Sequence, residues 1–454
     1  MAPTTTDTSV LGGKPSAILH RTPWRLPIAK HAEGIYIDLE DGRRVIDAVG
    51  GAAVACIGNG HPKVQQAIKD QVDKVSYVYN MQLSNQPAEA LAQNLIASSQ
   101  GAFELAGFVS GGTEAMESVI KLAIQYYADL GQPKRVNFIG RRLSFHGNSL
   151  ATLSLSYHPA RRALVTEHLD TTHFHHVSPA YAKRFQKPDE TEEQYVERLR
   201  QELEDKFIAL GPDTVIGFVA ETVVGATTGV LPAPKGYFKA MKSIMSGMGR
   251  MGTLHAWESF GDGVKPDIQA VAKGLGGGYA SIGAVLLSKK VADAIRDGSG
   301  FWKHGHTYQG QPIATATALA VQKVIEEENL LENIRTQGAY LESLLEKGLR
   351  GPNAIAAPYT FDIRGGGGFW GIEFDFTQAP SLDFKGTPFG LRVQARALEL
   401  GLIIMGMTGG ANVEGSQGDH ILLAPAYNVR KEEVEKIAGI FVQSVEDVLR
   451  EVIP

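Results

Sequence analysis

Short runs of consecutive apolar residues alternate along this chain with longer segments whose apolar positions recur three and four residues apart. The short runs predict buried strands and the longer ones amphipathic helices, so their alternation predicts a mainly parallel sheet covered by helices. Strands are expected at GFVS ahead of Gly111, RVNFIG from Arg135, TVIGFVAE from Thr214, PDIQAVA from Pro266 and IGAVLLS from Ile282. The early stretch GIYIDLEDGRRVIDAVGG reads as a hairpin turning at Glu40, Asp41 and Gly42. YFKAMKSIM reads as a helix, with Phe238, Met241, Ile244 and Met245 on one face and Lys239 and Lys242 on the other. KRFQKPDETEEQYVERLRQELEDKF reads as a loop followed by a surface helix, with nothing in it that demands a partner.

Near Ile325 a helix-rich region begins, and its charged run EEENLLENIRTQGAYLESLLEKGL reads as the solvated side of a helix. RGGGGFWGIEF and LGLIIMG then restart strand patterns, so the last part is expected to build a smaller α/β lobe with the first. The expected division is a flexible arm at 1–17, part of the small domain at 18–70, a large domain at 71–325 and the rest of the small domain at 326–454.

Composition narrows the class. The chain has 454 residues, 43% hydrophobic and 20% charged, with 51 glycines, which suits an α/β enzyme rather than a disordered or fibrous chain. A net charge of −5 supplies no basic field for nucleic acid, and no apolar run is long enough for a membrane span. The lone Cys56 permits no internal disulfide and suits a reducing compartment; with no leader-like segment at the N-terminus, a cytoplasmic location is expected.

Five segments carry candidate chemistry. In VSGGTEAMESVIKLA an apolar strand runs into Ser110, Gly111, Gly112 and Thr113 and a helix follows, so free amides and close-approach glycines make either an anion cradle or an ordinary glycine turn. In DIQAVAKGLGGGYASIG, Lys273 ends a strand ahead of a glycine cluster, where a desolvated lysine can form a Schiff base, or simply stand exposed before a loop. Phe145 and His146 follow another strand and offer an aromatic face for a planar heterocycle. Glu221 terminates FVAE as a carboxylate at a strand tip, and Thr307 in HGHTYQGQP offers a hydroxyl in a loop before a helix.

Other patterns lead less far. HFHHV at 173–177 and the pair His304 and His306 lack a completing cysteine or helical His and Glu, so no metal site is expected. Arg161 and Arg162 in HPARR can meet a substrate carboxylate or form a surface cluster. GMGRMG at Gly247–Gly252 fits a dinucleotide fingerprint, but the segment ahead of it reads as helix where that fingerprint needs a strand.

Together SGGTEAMESVIKLA, FHG, LPAPKGYFKAM, GMGRMGTLHAWE, PDIQAVAKGLGGGYASIG and HGHTYQGQP closely resemble the class III aminotransferases, collinearly from about Ile18 to the C-terminus. The resemblance implies the type I pyridoxal-phosphate transferase fold: a large α/β domain with a mainly parallel sheet between helices, plus a smaller α/β domain from both chain ends. It implies pyridoxal 5′-phosphate bound to Lys273 as a Schiff base, with Gly112 and Thr113 on the phosphate and Phe145 on the ring beside His146. Glu221 would lie near the ring hydroxyl, and Thr307 would reach the phosphate in the partner subunit of a homodimer. The implied reaction moves an amino group from an amino acid or amine to a keto acid or aldehyde.

Three departures stand out. After Ile244 the turn and strand that relatives carry, ending in an aspartate on the ring nitrogen, have no counterpart, because Met245 and Ser246 run straight into Gly247. The sequence is then an incorrectly spliced one, a weakly active or non-catalytic dimeric homologue, or a member that recruits another group. Leu422 in ILLAPAY stands where relatives carry an arginine, and Thr222 follows Glu221 where they carry proline.

Overall fold

The computed structural model of the chain describes residues 9–10, 14–22, 24–241, 245–246, 250–261 and 263–453. Most of the expected N-terminal arm lies outside this set; within it Ser9–Val10 and Lys14–Pro15 pair antiparallel.

Each run expected as a strand forms one. Leu105–Val109, Asn137–Arg141, Val215–Phe218, Ile268–Val271 and Gly283–Leu287 are joined by Phe174–Val177. They do not form one continuous ladder. Asn137–Arg141 pairs in parallel with Phe174–Val177 on one side and Val215–Phe218 on the other. Ile268–Val271 and Leu105–Val109 flank the oppositely directed Gly283–Leu287, and Met245–Ser246 pairs in parallel with Gln269 and Ala270.

The helix expected across YFKAMKSIM is therefore shorter than its periodicity suggests. Tyr237–Met241 is helical, whereas Met245 takes a strand position. The edge of Ile268–Val271 offers backbone donors and acceptors that need partners, and pairing with them outweighs one more helical turn. The deletion point Ile244, and Gly247, Met248 and Gly249 of the glycine loop, lie outside the described residues.

Two residues do not replace a strand. Among the described residues nothing pairs with the outer edge of Val215–Phe218, although Val215, Ile216 and Phe218 are buried. Among the described residues packing joins the two half-sheets, with no backbone ladder between them. On one face the helix Gly112–Asp129 lays Ala115, Val119 and Ile120 against Phe138 and Ile216 of one half and Ile268 and Val285 of the other. On the opposite face Phe238, Met241 and Trp257 share a core with Ile139, Phe218, Val271 and Leu286.

The two chain ends share a sheet. Leu402–Ile403 pairs in parallel with Arg44–Asp47, which continues through Tyr36–Leu39 to Ala29–Glu33. The hairpin turns where expected, with Gly42 at φ +89°, a left-handed conformation open to glycine. A second antiparallel sheet runs Thr360–Gly366, Phe369–Phe374, Asp419–Leu423, Met405–Thr408. The charged insert forms the expected surface helix, with ion pairs ahead of it that its sequence did not announce. Its helix Glu192–Leu210 buries Tyr195, Val196, Leu199 and Leu203, and Lys183 and Arg184 ahead of it pair with Asp362, Glu373 and Asp375 of that second sheet.

Candidate active site

The site forms where the strand ends meet. Ile268–Val271 delivers the chain to Lys273, which holds φ +53°. A lysine seldom adopts this conformation, and such strain persists only where its surroundings enforce it. The amides of Gly276 and Gly277 both donate to the Lys273 carbonyl, at 3.1 and 3.0 Å, and lock the turn. Gly112 is a close neighbour: a Cβ there would stand 3.3 Å from that of Ala272. The start of the helix Gly112–Asp129 thus abuts the lysine turn. No side chain caps it, since Gly111 holds the cap position, so the first-turn amides are free for an anion. Thr113 adds its hydroxyl oxygen, which accepts from the Asn148 amide at 3.2 Å.

The third wall comes from the loop after Asn137–Arg141. The Phe145 amide donates to Glu221 Oε1 at 2.8 Å, and the Gly225 amide donates to Oε2 at 3.2 Å, so the strand-tip carboxylate organises two loops. Arg141, buried at the end of its strand, donates from Nη2 to the Glu221 carbonyl at 2.6 Å. Sequence reasoning passed over Arg141; a charged residue closing an apolar strand was its signal.

Lys273 is exposed to solvent, although protein atoms crowd around its side chain. Burial lowers its pKa from the ordinary lysine value; the charges of Arg250 and Arg161 act the same way and Glu221 opposes them. Burial raises the Glu221 pKa, opposed by the two amide donors, Arg141 and Lys273. The structure thus brings together Lys273, Gly112, Thr113, Phe145 and Glu221. His146 sits beside Phe145 but is buried; its amide donates to Ser156 Oγ at 2.7 Å and its Nε2 lacks a hydrogen-bond partner. Thr307 is exposed, and its carbonyl accepts from the Tyr77 hydroxyl at 2.9 Å.

Arg250, the fourth residue of GMGRMG, has a structural role that its sequence context hid. Its guanidinium donates to the carbonyls of Ala53 at 3.0 Å, Ala424 at 2.8 Å and Pro425 at 3.2 Å, tying the glycine loop to both chain ends. Leu422 belongs to a small apolar cluster with Val49, Ala53 and Val230.

Three buried histidines make the region acid-sensitive. Burial lowers the pKa of His146 to about 3 and those of His158 and His420 to about 4, against an ordinary 6.5. The rings are neutral when folded and bind protons more readily when unfolded, so their contribution is full above about pH 6.5 and is lost as pH falls toward 4. At about 1.4 kcal/mol per unit, a shift of this size withdraws roughly 3 kcal/mol per ring by pH 4. Melting followed by circular dichroism is expected to show Tm falling by about 10 °C between pH 7 and pH 5. A flat profile over that range contradicts this account.

The chain is similar to known proteins over nearly its whole length. The family described as aminotransferase class III matches residues 20–445. An aminotransferase of Gibberella zeae is 41% identical over 427 residues, covering 90% of this chain and 81% of the relative. An uncharacterized aminotransferase of Schizosaccharomyces pombe is 38% identical, covering 95% of each chain. A chloroplastic γ-aminobutyrate transaminase 3 of Solanum lycopersicum is 30% identical, covering 94% of this chain and 82% of the relative. Among solved structures, the ω-transaminase of Pseudomonas jessenii in complex with PMP superposes with a TM-score of 0.85 at 29% identity, covering 94% of each chain.

Proposed function

The chain belongs to the class III aminotransferase family, and from that premise we propose that it works with pyridoxal 5′-phosphate held at Lys273. It is an aminotransferase, moving an amino group between an amino acid or amine and a keto acid or aldehyde. The observation that carries the site reading is the contact between the uncapped start of the helix Gly112–Asp129 and the strained turn at Lys273. An anion-binding helix start beside a crowded amine suits a molecule that is a phosphate at one end and an aldehyde at the other.

When bound, pyridoxal phosphate supplies a conjugated ring that withdraws electrons from the carbon bearing the donor's amine. The chain's own residues do the rest. The amides of Gly112 and Thr113 would hold the phosphate, and the Phe145 side chain would cover the ring. Glu221, bound by the amides of Phe145 and Gly225, sets the position of that cover and would lie near the ring hydroxyl. Lys273 Nζ, made less basic by burial, exists as the free amine at lower pH than an ordinary lysine. In that form it would hold the cofactor's aldehyde end, and its Nζ would carry the proton taken from the donor's carbon. The ring-nitrogen end has no counterpart to the family aspartate among the described residues: Glu258 lies in a short helical turn and Asp267 precedes its strand. The named relatives are aminotransferases and lend the non-catalytic alternative no support.

The ω-transaminase and the γ-aminobutyrate transaminase among the relatives make terminal amines and ω-amino acids the first donors to assay. A homodimer is proposed, with Thr307 turned toward the partner's phosphate. Exposed Tyr77, Tyr79, Met81, Leu83, Phe301 and Tyr308 support it, since they offer apolar side chains for an interface to cover. A cytoplasmic location is proposed from the buried, unpaired Cys56. Borohydride treatment of protein loaded with pyridoxal phosphate, followed by peptide mapping, tests the reading directly. The label is expected on Lys273, and an unlabelled residue 273 sinks it.

A further inference from the structure

A glutamine on an apolar stretch of helix meets the turn that carries Lys273. Gln322 is buried in the helix Pro312–Glu327, on the face it shares with buried Ala318 and Ile325. Its Nε2 donates to the carbonyls of Gly274 at 3.1 Å and Leu275 at 2.9 Å, the two residues that follow Lys273. The Cys56 thiol, from the other side, donates to the same Gly274 carbonyl at 3.4 Å. The amides of Gly276 and Gly277 already bind the Lys273 carbonyl, so each of the three successive carbonyls in the turn Lys273–Leu275 has a donor. The helix presses close: a Cβ at Gly277 would stand 3.1 Å from Val321 Cγ1.

Packing alone does not account for an amide at this position. Gln322 Oε1 is buried without a hydrogen-bond partner, a cost that methionine or leucine of similar size would avoid. The opposite orientation of the amide would set its oxygen against two carbonyls, so the site uses the amide for its two N–H groups. Lys273 at φ +53° holds a conformation that a lysine leaves readily, and bonds to the next two carbonyls oppose that escape.

We propose that Gln322 is a positioning residue for amino transfer: by holding the carbonyls of Gly274 and Leu275 it keeps Lys273 in its left-handed turn and sets where Nζ stands. It acts through the turn, from the buried side. This rests on Lys273 as the reacting group.

The test reads the amine itself, in protein free of cofactor. Trace acetylation with acetic anhydride from about pH 6 to about pH 10, followed by peptide mapping, gives the midpoint pH at which Lys273 becomes reactive, and exposed Lys69 serves as the internal reference for the reagent. In the unaltered protein that midpoint is expected below the ordinary lysine value, because protein crowds the amine. Gln322→Met removes both donors and is expected to raise it by at least about half a pH unit, as the freed amine reaches water. Gln322→Glu, protonated in so buried a place, keeps one donor and is expected to fall between the two; it decides the question if Gln322→Met does not fold. Leu199→Ala, a cavity in the helix Glu192–Leu210, destabilises the protein and is expected to leave the midpoint where it is. With pyridoxal phosphate loaded, Gln322→Met is expected to lower kcat at least about tenfold while the donor KM stays within about threefold. A midpoint within about 0.2 pH unit of the unaltered protein in either Gln322 variant, or one moved as far by Leu199→Ala, overturns the proposal, as does an unchanged kcat. If the midpoint moves as expected but borohydride leaves residue 273 unlabelled in the loaded protein, the clasp on the turn stands and the pyridoxal-phosphate reading fails.

Discussion

Replacing Lys273 with alanine is expected to lower amino transfer by at least about 10³-fold, because one residue supplies both the nucleophile and the proton carrier. No neighbour can substitute. The guanidiniums of Arg141, Arg161 and Arg250 donate only, and His146 is buried with a pKa of about 3. Glu221 has both oxygens committed to backbone amides. The same change must leave the fold intact, and the backbone allows a check. Lys273 already bears the strain of φ +53°, so alanine adds little, while Lys273→Gly relieves it by about 1 kcal/mol. The expected pattern is an inactive Lys273→Ala that melts within a few degrees of the unaltered protein and an equally inactive Lys273→Gly that melts no lower. A stopped assay with an amine donor and differential scanning fluorimetry read the two quantities. Residual activity above about 1% in Lys273→Ala would move the chemistry to another residue.

The strands could be read from the sequence because a fully buried strand writes itself as a continuous apolar run, as in IQAV at Ile268–Val271 and GAVLL at Gly283–Leu287. Lys273, Glu221 and Phe145 were legible for a related reason. Each follows such a run closely, and α/β sheets place ligands at strand ends. What the sequence concealed depends on distant partners. Periodicity carried YFKAMKSIM on as a helix through Met245, since nothing local announces that Ser246 and Met245 will lie beside Gln269 and Ala270. The charged insert looked solvated because Lys183 meets its carboxylate 179 residues later and Arg184 meets its two 189 and 191 residues later. Arg161 and Arg162 read as one cluster, although adjacent side chains on so short a helix point in different directions.

The shortened strand has a consequence that the packing makes concrete. Val215–Phe218 is a buried edge on its unpaired side, yet it also leads the chain to Glu221. An orphaned buried backbone group costs about 1–3 kcal/mol. The helix Gly112–Asp129 and the aromatic layer of Phe238 and Trp257 offset this loss by spanning both half-sheets. The uncapped helix start and the lysine turn belong to one half, and Phe145 and Glu221 to the other. Their mutual position therefore depends on side-chain packing where a continuous ladder would otherwise impose it.

A second junction carries a larger charge burden and yields the other strong prediction. Lys183, Arg184 and Arg364 face Asp362, Glu373 and Asp375, three cations against three carboxylates. Arg364 is the centre: Nη1 donates to the Tyr181 hydroxyl at 2.9 Å, to Asp362 at 3.2 Å and to Glu373 at 2.7 Å, and Nη2 donates to the Thr228 carbonyl. The side chains of Arg364, Asp362 and Glu373 are only 8%, 4% and 3% exposed, so removing the arginine strands negative charge where water cannot solvate it. Arg364→Met is expected to cost about 3–5 kcal/mol, read as a lower midpoint in urea denaturation followed by tryptophan fluorescence. Lys183 meets the same Asp362 from a side chain 59% exposed, so Lys183→Met is expected to cost no more than about 1 kcal/mol. Adding Glu373→Gln to Arg364→Met removes one stranded charge and is expected to recover part of the loss. Equal costs for Arg364→Met and Lys183→Met would mean that the cluster is as well solvated as a surface ion pair, and burial would no longer explain how these segments are held together.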